Sequence, residues 1–255
     1  MKVTAFVGSA RKKHTYHAAE VFLHKLQTYG DVEGEVVRLS DYNLKTCIGC
    51  KLCMDKGEEL CPLDDDRDIL IHKIIASDGV VFVSPNYSFN VSGIMKVFLD
   101  RLAFIFHRPC CFGKTATGIV VQGIYGGSKI VAYFNFICNA LGFNVVKGCT
   151  INSLEPMTEK GRRTIDRKID KLSIRFYAQL AKKEYPTPSL FELMLFRLAR
   201  TSRRIMLNDD FRDYTWCREK GWFESDYYYP VRLNPIKKIA GNLFDGAAGL
   251  LTKRR

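Results

Sequence analysis

Five short apolar runs, each followed by a stretch with helical periodicity, fill the first 150 residues and constrain the fold more than any other feature. Lys2–Val7, Glu35–Leu39, Gly79–Ser84, Ala116–Gln122 and Phe143–Thr150 read as strands. Between them, Thr15–Tyr29, Ile69–Ala76, Ser92–Phe106 and Ser128–Leu141 carry apolar residues near a 3.6 period. The run Gly79–Ser84 is apolar throughout, as expected of a strand covered on both faces. Parallel neighbours need crossover helices, so the pattern implies an α/β fold with a doubly wound five-stranded parallel sheet. Five strands favour the order 2-1-3-4-5. Asp64, Asp65 and Asp66 precede Ile69–Ala76 and read as an acidic helix start. A long helix, Thr158–Lys183, closes this part.

After Tyr185 the character changes. Pro186 and Pro188 break the helix, and Ser189 is placed to cap a new one through Met206. Residues 211–230 are aromatic-rich, and Pro235–Leu251 mixes apolar residues with lysines. The expected division is residues 1–185 as one domain, which includes the cysteine loop 47–61, and residues 186–255 as a basic helical extension. Large aromatics are enriched at interface cores. Phe211, Tyr214, Trp216, Trp222, Phe223 and Tyr227–Tyr229 are therefore expected to cover another surface, most simply that of a second copy in a homodimer.

Charge is unevenly placed. Residues 160–255 hold 22 Lys or Arg against 11 Asp or Glu, while residues 1–159 hold 17 against 16. Such asymmetry suits an acidic partner or an anionic surface. No nucleic-acid motif accompanies it. No uncharged run reaches the ~18 residues that a membrane span needs. No cationic stretch leads into an apolar signal core at the N-terminus.

Two motifs carry chemistry. The first strand ends in Gly8-Ser9-Ala10-Arg11-Lys12-Lys13-His14-Thr15 and enters a helix. A helix N-terminus at the carboxyl end of a strand offers free N–H groups to a phosphate, with the Ser9 and Thr15 hydroxyls and the Arg11 guanidinium as further donors. The loop is not the dinucleotide G-x-G-x-x-G, and Gly113-Lys114-Thr115 is no Walker loop because Arg108 stands where its first Gly should be, so a monophosphate fits best at the first loop. Loops Ser84–Phe89 and Gly123–Gly127 follow the third and fourth central strands, and together the three suit a phosphate and a flat ring. The second motif is Cys47, Cys50, Cys53 and Cys61, spaced C-x2-C-x2-C-x7-C with Pro62 after the last. Soft thiolates at this spacing suit an iron–sulfur cluster. Zinc and free thiols are two other readings of the same run. The other five of the nine cysteines are scattered, which is no disulfide framework and fits a reducing, cytoplasmic setting.

Taken together, Gly8-Ser9-x-Arg11…Thr15, the four cysteines followed by Asp64-Asp65, and Ser84-Pro85-Asn86-Tyr87…Ser92-Gly93, Lys96, Phe98, Asp100-Arg101 resemble the NADPH-dependent FMN reductase-like flavodoxin fold. Within it, they are most similar to the iron–sulfur flavoproteins. The resemblance covers about residues 1–150, and Asn86 departs from it by replacing an apolar residue common there. Further on, Asp213-Tyr214-Thr215-Trp216 and Gly221-Trp222-Phe223 resemble the C-terminal extension of some clostridial-type relatives. The resemblance implies FMN, with its phosphate held by Ser9, Arg11, Lys13, Thr15 and Tyr16. It implies a ring held by Pro85, Asn86, Tyr87, Ser88, Phe89, Gly123, Gly126 and Gly127. It further implies a [4Fe–4S] cluster on Cys47, Cys50, Cys53 and Cys61. NAD(P)H is the implied electron donor, and a ferredoxin-like acidic protein is a fitting one-electron partner for the basic C-terminal part. The alternative function is a flavin-binding electron carrier or regulatory protein without turnover of its own.

Overall fold

Every residue of the two central strands is buried: β3, Gly79–Pro85, and β4, Thr115–Gln122. The computed structural model describes residues 1–253. In order, its elements are β1 (Lys2–Val7), α1 (His14–Gln27), β2 (Glu33–Arg38), α2 (Leu52–Asp55), α3 (Arg67–Ala76), β3, α4 (Gly93–Arg101), α5 (Ala103–His107), β4, α6 (Gly127–Ala140), β5 (Asn144–Val145), β6 (Cys149–Asn152), α7 (Glu159–Leu180), α8 (Leu190–Met206), α9 (Arg212–Glu219) and α10 (Pro235–Lys253). The chain divides into two compact units. One comprises Met1–Ile48 and Leu63–Lys183; the other comprises Gly49–Pro62 and the chain from Glu184 onward.

In the first unit the strands run parallel in the order β2-β1-β3-β4-β5, with β6 also paired to β4. This is the order expected from the sequence. One face of the sheet is filled by Phe6, Phe82, Phe98 and Phe134, with neighbouring ring centroids 5.1–6.4 Å apart. Val3, Ala5, Val7, Phe22, Leu172 and Phe176 belong to a second buried cluster, in which Phe22 meets Phe176 edge-on at 5.4 Å.

Three local expectations need correction. The fifth strand is not continuous; it is split into β5 and β6 around residues 146–148. There the backbone comes so close to β4 that a Cβ on Gly148 would sit 2.0 Å from the Gly118 carbonyl oxygen. The helix expected over Ser92–Phe106 is interrupted at Leu102, where φ −92° and ψ 8° leave the helical region. The aspartates before α3 cap it only in part: Asp65 accepts from the Arg67 N–H at 3.2 Å, but Asp66 at the N-cap position makes no cap hydrogen bond. Asp66 accepts instead from the Asn43 N–H at 2.7 Å, and Asp65 from the Lys45 N–H at 2.9 Å.

In the second unit, the Ser189 hydroxyl accepts from Glu192 N–H, and the Glu192 carboxylate accepts from Ser189 N–H. This capping box starts α8. Helices α8 and α10 pack together. Between them the buried Arg197 and Arg200 guanidiniums meet Asp245 at 2.8 and 2.6 Å, and Thr201 donates to the same carboxylate. The aromatics fold onto one another. Phe196 packs on Tyr227 and Tyr228, and Trp222 stacks edge-on against Tyr228 while donating to its carbonyl at 3.1 Å. Trp222, Phe223 and Tyr227 are buried. Phe211, Tyr214, Trp216, Tyr228 and Tyr229 are half-buried, so the extension covers part of this aromatic surface itself.

Candidate functional site

Loops at the carboxyl ends of β1, β3, β4 and β6 enclose a cavity of about 380 Å3 in the first unit. That volume lies within the roughly 300–1,000 Å3 usual for small-molecule sites. Its floor comes from Val121 and Gln122 at the end of β4.

Ser9, Arg11, Lys13, His14 and Thr15 form one wall. The loop they occupy is tied down at both ends. Gly8 N–H donates to the Val83 carbonyl at 2.8 Å, and Arg38 donates to the Ala10 carbonyl at 2.9 Å. Lys13 holds the N-cap position of α1 with no side-chain cap, and no acid stands in the first turn. Backbone N–H groups and the positive end of the helix dipole therefore meet the cavity without an anion of the helix's own. Arg11, Lys12 and Lys13 are exposed cations. One carboxylate lies nearby. Glu155 pairs with His14 Nε2 at 2.9 Å, and this hydrogen bond and charge, with Lys13, hold its carboxyl below the ordinary range.

Pro85, Asn86 and Tyr87 form the opposite wall. The chain after β3 makes a tight reverse turn, in which Tyr87 and Asn90 exchange backbone hydrogen bonds of 3.0 Å. Ser88 and Phe89 at its tip are both left-handed, at φ 50° and 62°. Turns of this kind usually carry Asn-Gly. Holding a non-glycine residue there costs about 1–3 kcal/mol each, and such strain clusters at ligand clamps. The turn is braced across to the β4 loop. Asn86 Nδ2 donates to the Tyr125 carbonyl at 2.9 Å, and Phe89 lies 5.3 Å from the Tyr125 ring. Gly126, at φ 95°, makes this possible, since a Cβ there would fall 2.7 Å from Phe89. Asn86 Oδ1 is buried and has no partner among the described residues. An acceptor left orphaned beside a cavity suits a ligand N–H.

Of the residues expected from the sequence, Ser9, Arg11, Lys13, Thr15, Pro85, Asn86, Tyr87 and Gly123 line this cavity. Tyr16, Ser88, Phe89, Gly126 and Gly127 do not; Gly127 instead donates its N–H to Gln122 Oε1 at 2.6 Å. Sequence reading missed Gln122, whose amide bridges Asn152 and the Ile124 carbonyl, and missed the Ser153–Glu155 loop after β6. The available signal was position: a loop after a fifth strand belongs at the same sheet end as the other three.

The four cysteines lie on the stretch between β2 and α3. None is in a disulfide; Cys47 and Cys50 are exposed, Cys53 and Cys61 half-buried. In the first unit, the Asp65 carboxylate clamps the entry to this stretch. It accepts from Lys45 N–H and from Arg101 at 3.0 Å, with side chains 1% and 3% exposed for Asp65 and Arg101. Burial pushes the Asp65 carboxyl up, but those donors outweigh it and hold it below the usual carboxylate range. In the second unit, Gly49 and Lys51 are left-handed, and Cys53 sits on the single turn α2. This turn packs on α9, and Lys56 donates to the Asp210 carbonyl at 3.1 Å. Among the described residues, no three Cys, His, Asp or Glu side chains gather as a metal centre would require. The donor set, four thiols at short spacing and none in a disulfide, suits a thiolate-ligated cluster chemically.

The family model for NADPH-dependent FMN reductase matches residues 1–154. An iron-sulfur flavoprotein of Archaeoglobus fulgidus is 34% identical over 159 residues, 58% of this chain and 71% of that protein. Another, of Clostridioides difficile, is 29% identical over 225 residues, 84% of this chain and 94% of that protein. Among solved structures, RosB with bound 8-demethyl-8-formylriboflavin-5'-phosphate superposes with a TM-score of 0.58. It is 15% identical, covers 92% of each chain, and shows the likeness of fold. The azoreductase AzrA gives 0.52 at 13% identity, over 70% of this chain and all of its own. On the family match and the Archaeoglobus relative, this chain belongs to the NADPH-dependent FMN reductase family and, within it, to the iron–sulfur flavoproteins.

Proposed function

We propose that this protein is an FMN-dependent NAD(P)H oxidoreductase that moves electrons from a nicotinamide to an acceptor through flavin and a [4Fe–4S] cluster. The observation that carries this reading is the uncapped, acid-free N-terminus of α1 opening on the strand-end cavity beside an orphaned acceptor, Asn86 Oδ1. The phosphate of FMN would be held by Ser9, Arg11, Lys13 and Thr15, with Tyr16 on the next position of the helix. The ring would lie along Pro85, Asn86 and Tyr87, with Gly123 permitting close approach of backbone. Bound FMN supplies hydride acceptance from a nicotinamide and release of electrons one at a time. The protein's part would be placement: Asn86 Oδ1 would be available to accept from a ligand N–H, and the Phe89–Tyr125 contact would brace the loops after β3 and β4 against each other. No side-chain base is required.

Cys47, Cys50, Cys53 and Cys61 would hold the cluster. The name iron–sulfur flavoprotein borne by the relatives supports this, as does the thiol donor set. A cytoplasmic, reducing setting fits nine cysteines with no disulfide among the described residues. The basic helix α7 suits an acidic one-electron partner by charge.

Steady-state oxidation of NADPH or NADH by FMN-loaded protein, with a quinone or free flavin as acceptor, tests the enzyme reading. Turnover supports it. Tightly bound FMN with no nicotinamide oxidation would refute it in favour of an electron carrier.

A further inference from the structure

Helix α10 is amphipathic, yet it is turned the wrong way for a helix packed on its own subunit. Toward α8 it presents small or polar residues. A Cβ on Gly241 would meet the Arg197 guanidinium at 3.2 Å, and Asp245 binds Arg197, Arg200 and Thr201. Ala248, less than one turn further on, is 1% exposed. The large aliphatics point the other way: Ile236, Ile239, Leu243 and Leu250 are 72%, 63%, 68% and 68% exposed. Their spacing of three, four and seven residues makes one continuous stripe along the helix. A stripe of this size on an outward face marks an interaction surface.

Charge decides what covers it. Asp245 is the only acid in α10 and is turned inward onto two arginines. Lys237 spends its ammonium on the Pro188 carbonyl at 2.6 Å, but Lys238 is exposed. At the other end, Lys253, Arg254 and Arg255 follow the stripe in sequence. Among the described residues of α10, the outward face is therefore aliphatic and cationic, with no acid. A second copy laid stripe to stripe would bring cations to cations with no carboxylate between them. An anionic lipid surface offers what the face lacks: an apolar layer for the aliphatics and negative headgroups for Lys238 and for the basic residues that follow the stripe in sequence. No helix among the described residues is long and apolar enough to cross a membrane, so such binding would lie in the interface. We infer that α10 is a membrane-surface element that docks this protein on anionic bilayers through Ile236, Ile239, Leu243 and Leu250.

The test is co-sedimentation of the full-length protein with vesicles of equal parts phosphatidylglycerol and phosphatidylcholine, and with vesicles of phosphatidylcholine alone. The double variant Ile239→Asp/Leu243→Asp is measured in parallel; both positions are exposed, so far-UV circular dichroism and melting temperature should match the parent. The expected result is binding to the anionic vesicles only, weakened by salt and reduced roughly tenfold or more in the double variant. No binding to anionic vesicles overturns the inference. Equal binding by parent and variant also overturns it and moves the contact to another basic face, such as α7. Self-association that the variant abolishes, with no vesicle binding, assigns the face to a second copy instead.

Discussion

Lys13→Asp separates a phosphate-binding loop from an ordinary turn, because it should move stability and ligand affinity in opposite directions. Lys13 occupies the N-cap of α1, outside the helical region at φ −118° and ψ −145°, and caps nothing. Aspartate is among the best N-cap residues. Its carboxylate can accept from the first-turn N–H groups and complements the helix dipole, together worth about 0.5–2 kcal/mol. The apo protein should therefore melt higher, by about 2–4 °C for each kcal/mol gained in a chain of this size. The same carboxylate would occupy the N–H groups assigned to the FMN phosphate, remove a cation and add a like charge. Loss of one charged hydrogen bond alone costs about 1.5–3 kcal/mol, roughly a 10- to 150-fold rise in Kd. Differential scanning fluorimetry of apo protein and fluorescence titration with FMN read the two effects separately. A variant that melts higher and binds FMN as tightly as the parent would refute the phosphate assignment.

Three further outcomes follow from particular contacts. Asp65→Asn should destabilise the first unit by about 1.5–3 kcal/mol in urea denaturation, because it weakens a buried charge-assisted hydrogen bond from Arg101. Since the folded Asp65 carboxyl lies below its ordinary value of 3.8, its contribution is complete above that pH and is lost as pH falls through the lowered value; acid titration of the parent but not the variant should show this loss. Gly126→Ala should cost about 1–2 kcal/mol for its left-handed backbone and, by displacing Phe89, should weaken FMN binding in the same fluorescence titration. Cys50→Ala should abolish iron and sulfide in anaerobically prepared protein while leaving bound FMN unchanged, as measured by iron analysis and flavin extraction.

Much of the sheet is legible because buried parallel strands leave little choice of residue. Gly79–Ser84 and Ala116–Gln122 read as central strands and are buried throughout. The Ser189 cap is equally plain, since a hydroxyl three residues before Glu192 carries its own local hydrogen bonds. What escaped depends on contacts distant in sequence. No Gly or Pro marks the interruption at Leu102 within Phe98–Phe106. Gly148 splits the last strand only because the β4 backbone lies against it. The aspartates after the cysteines resemble a helix start until Asn43, Lys45 and Arg101 are seen to claim them. Composition alone marked the aromatics of residues 211–230 for an interface, and their burial against one another appears only in the fold. The stripe on α10 has the opposite history: periodicity shows an amphipathic helix, but not which face turns outward.

Anaerobic titration of the FMN-loaded protein with NADPH, followed by absorbance, bears most directly on the proposed chemistry. The expected result is about one FMN per chain, with the flavin band bleached by about one equivalent of NADPH and the iron–sulfur absorbance falling as about a further half-equivalent is added. Failure to retain FMN, or a bound flavin that NADPH leaves oxidised, would contradict the assignment of the strand-end cavity as a flavin site serving nicotinamide oxidation.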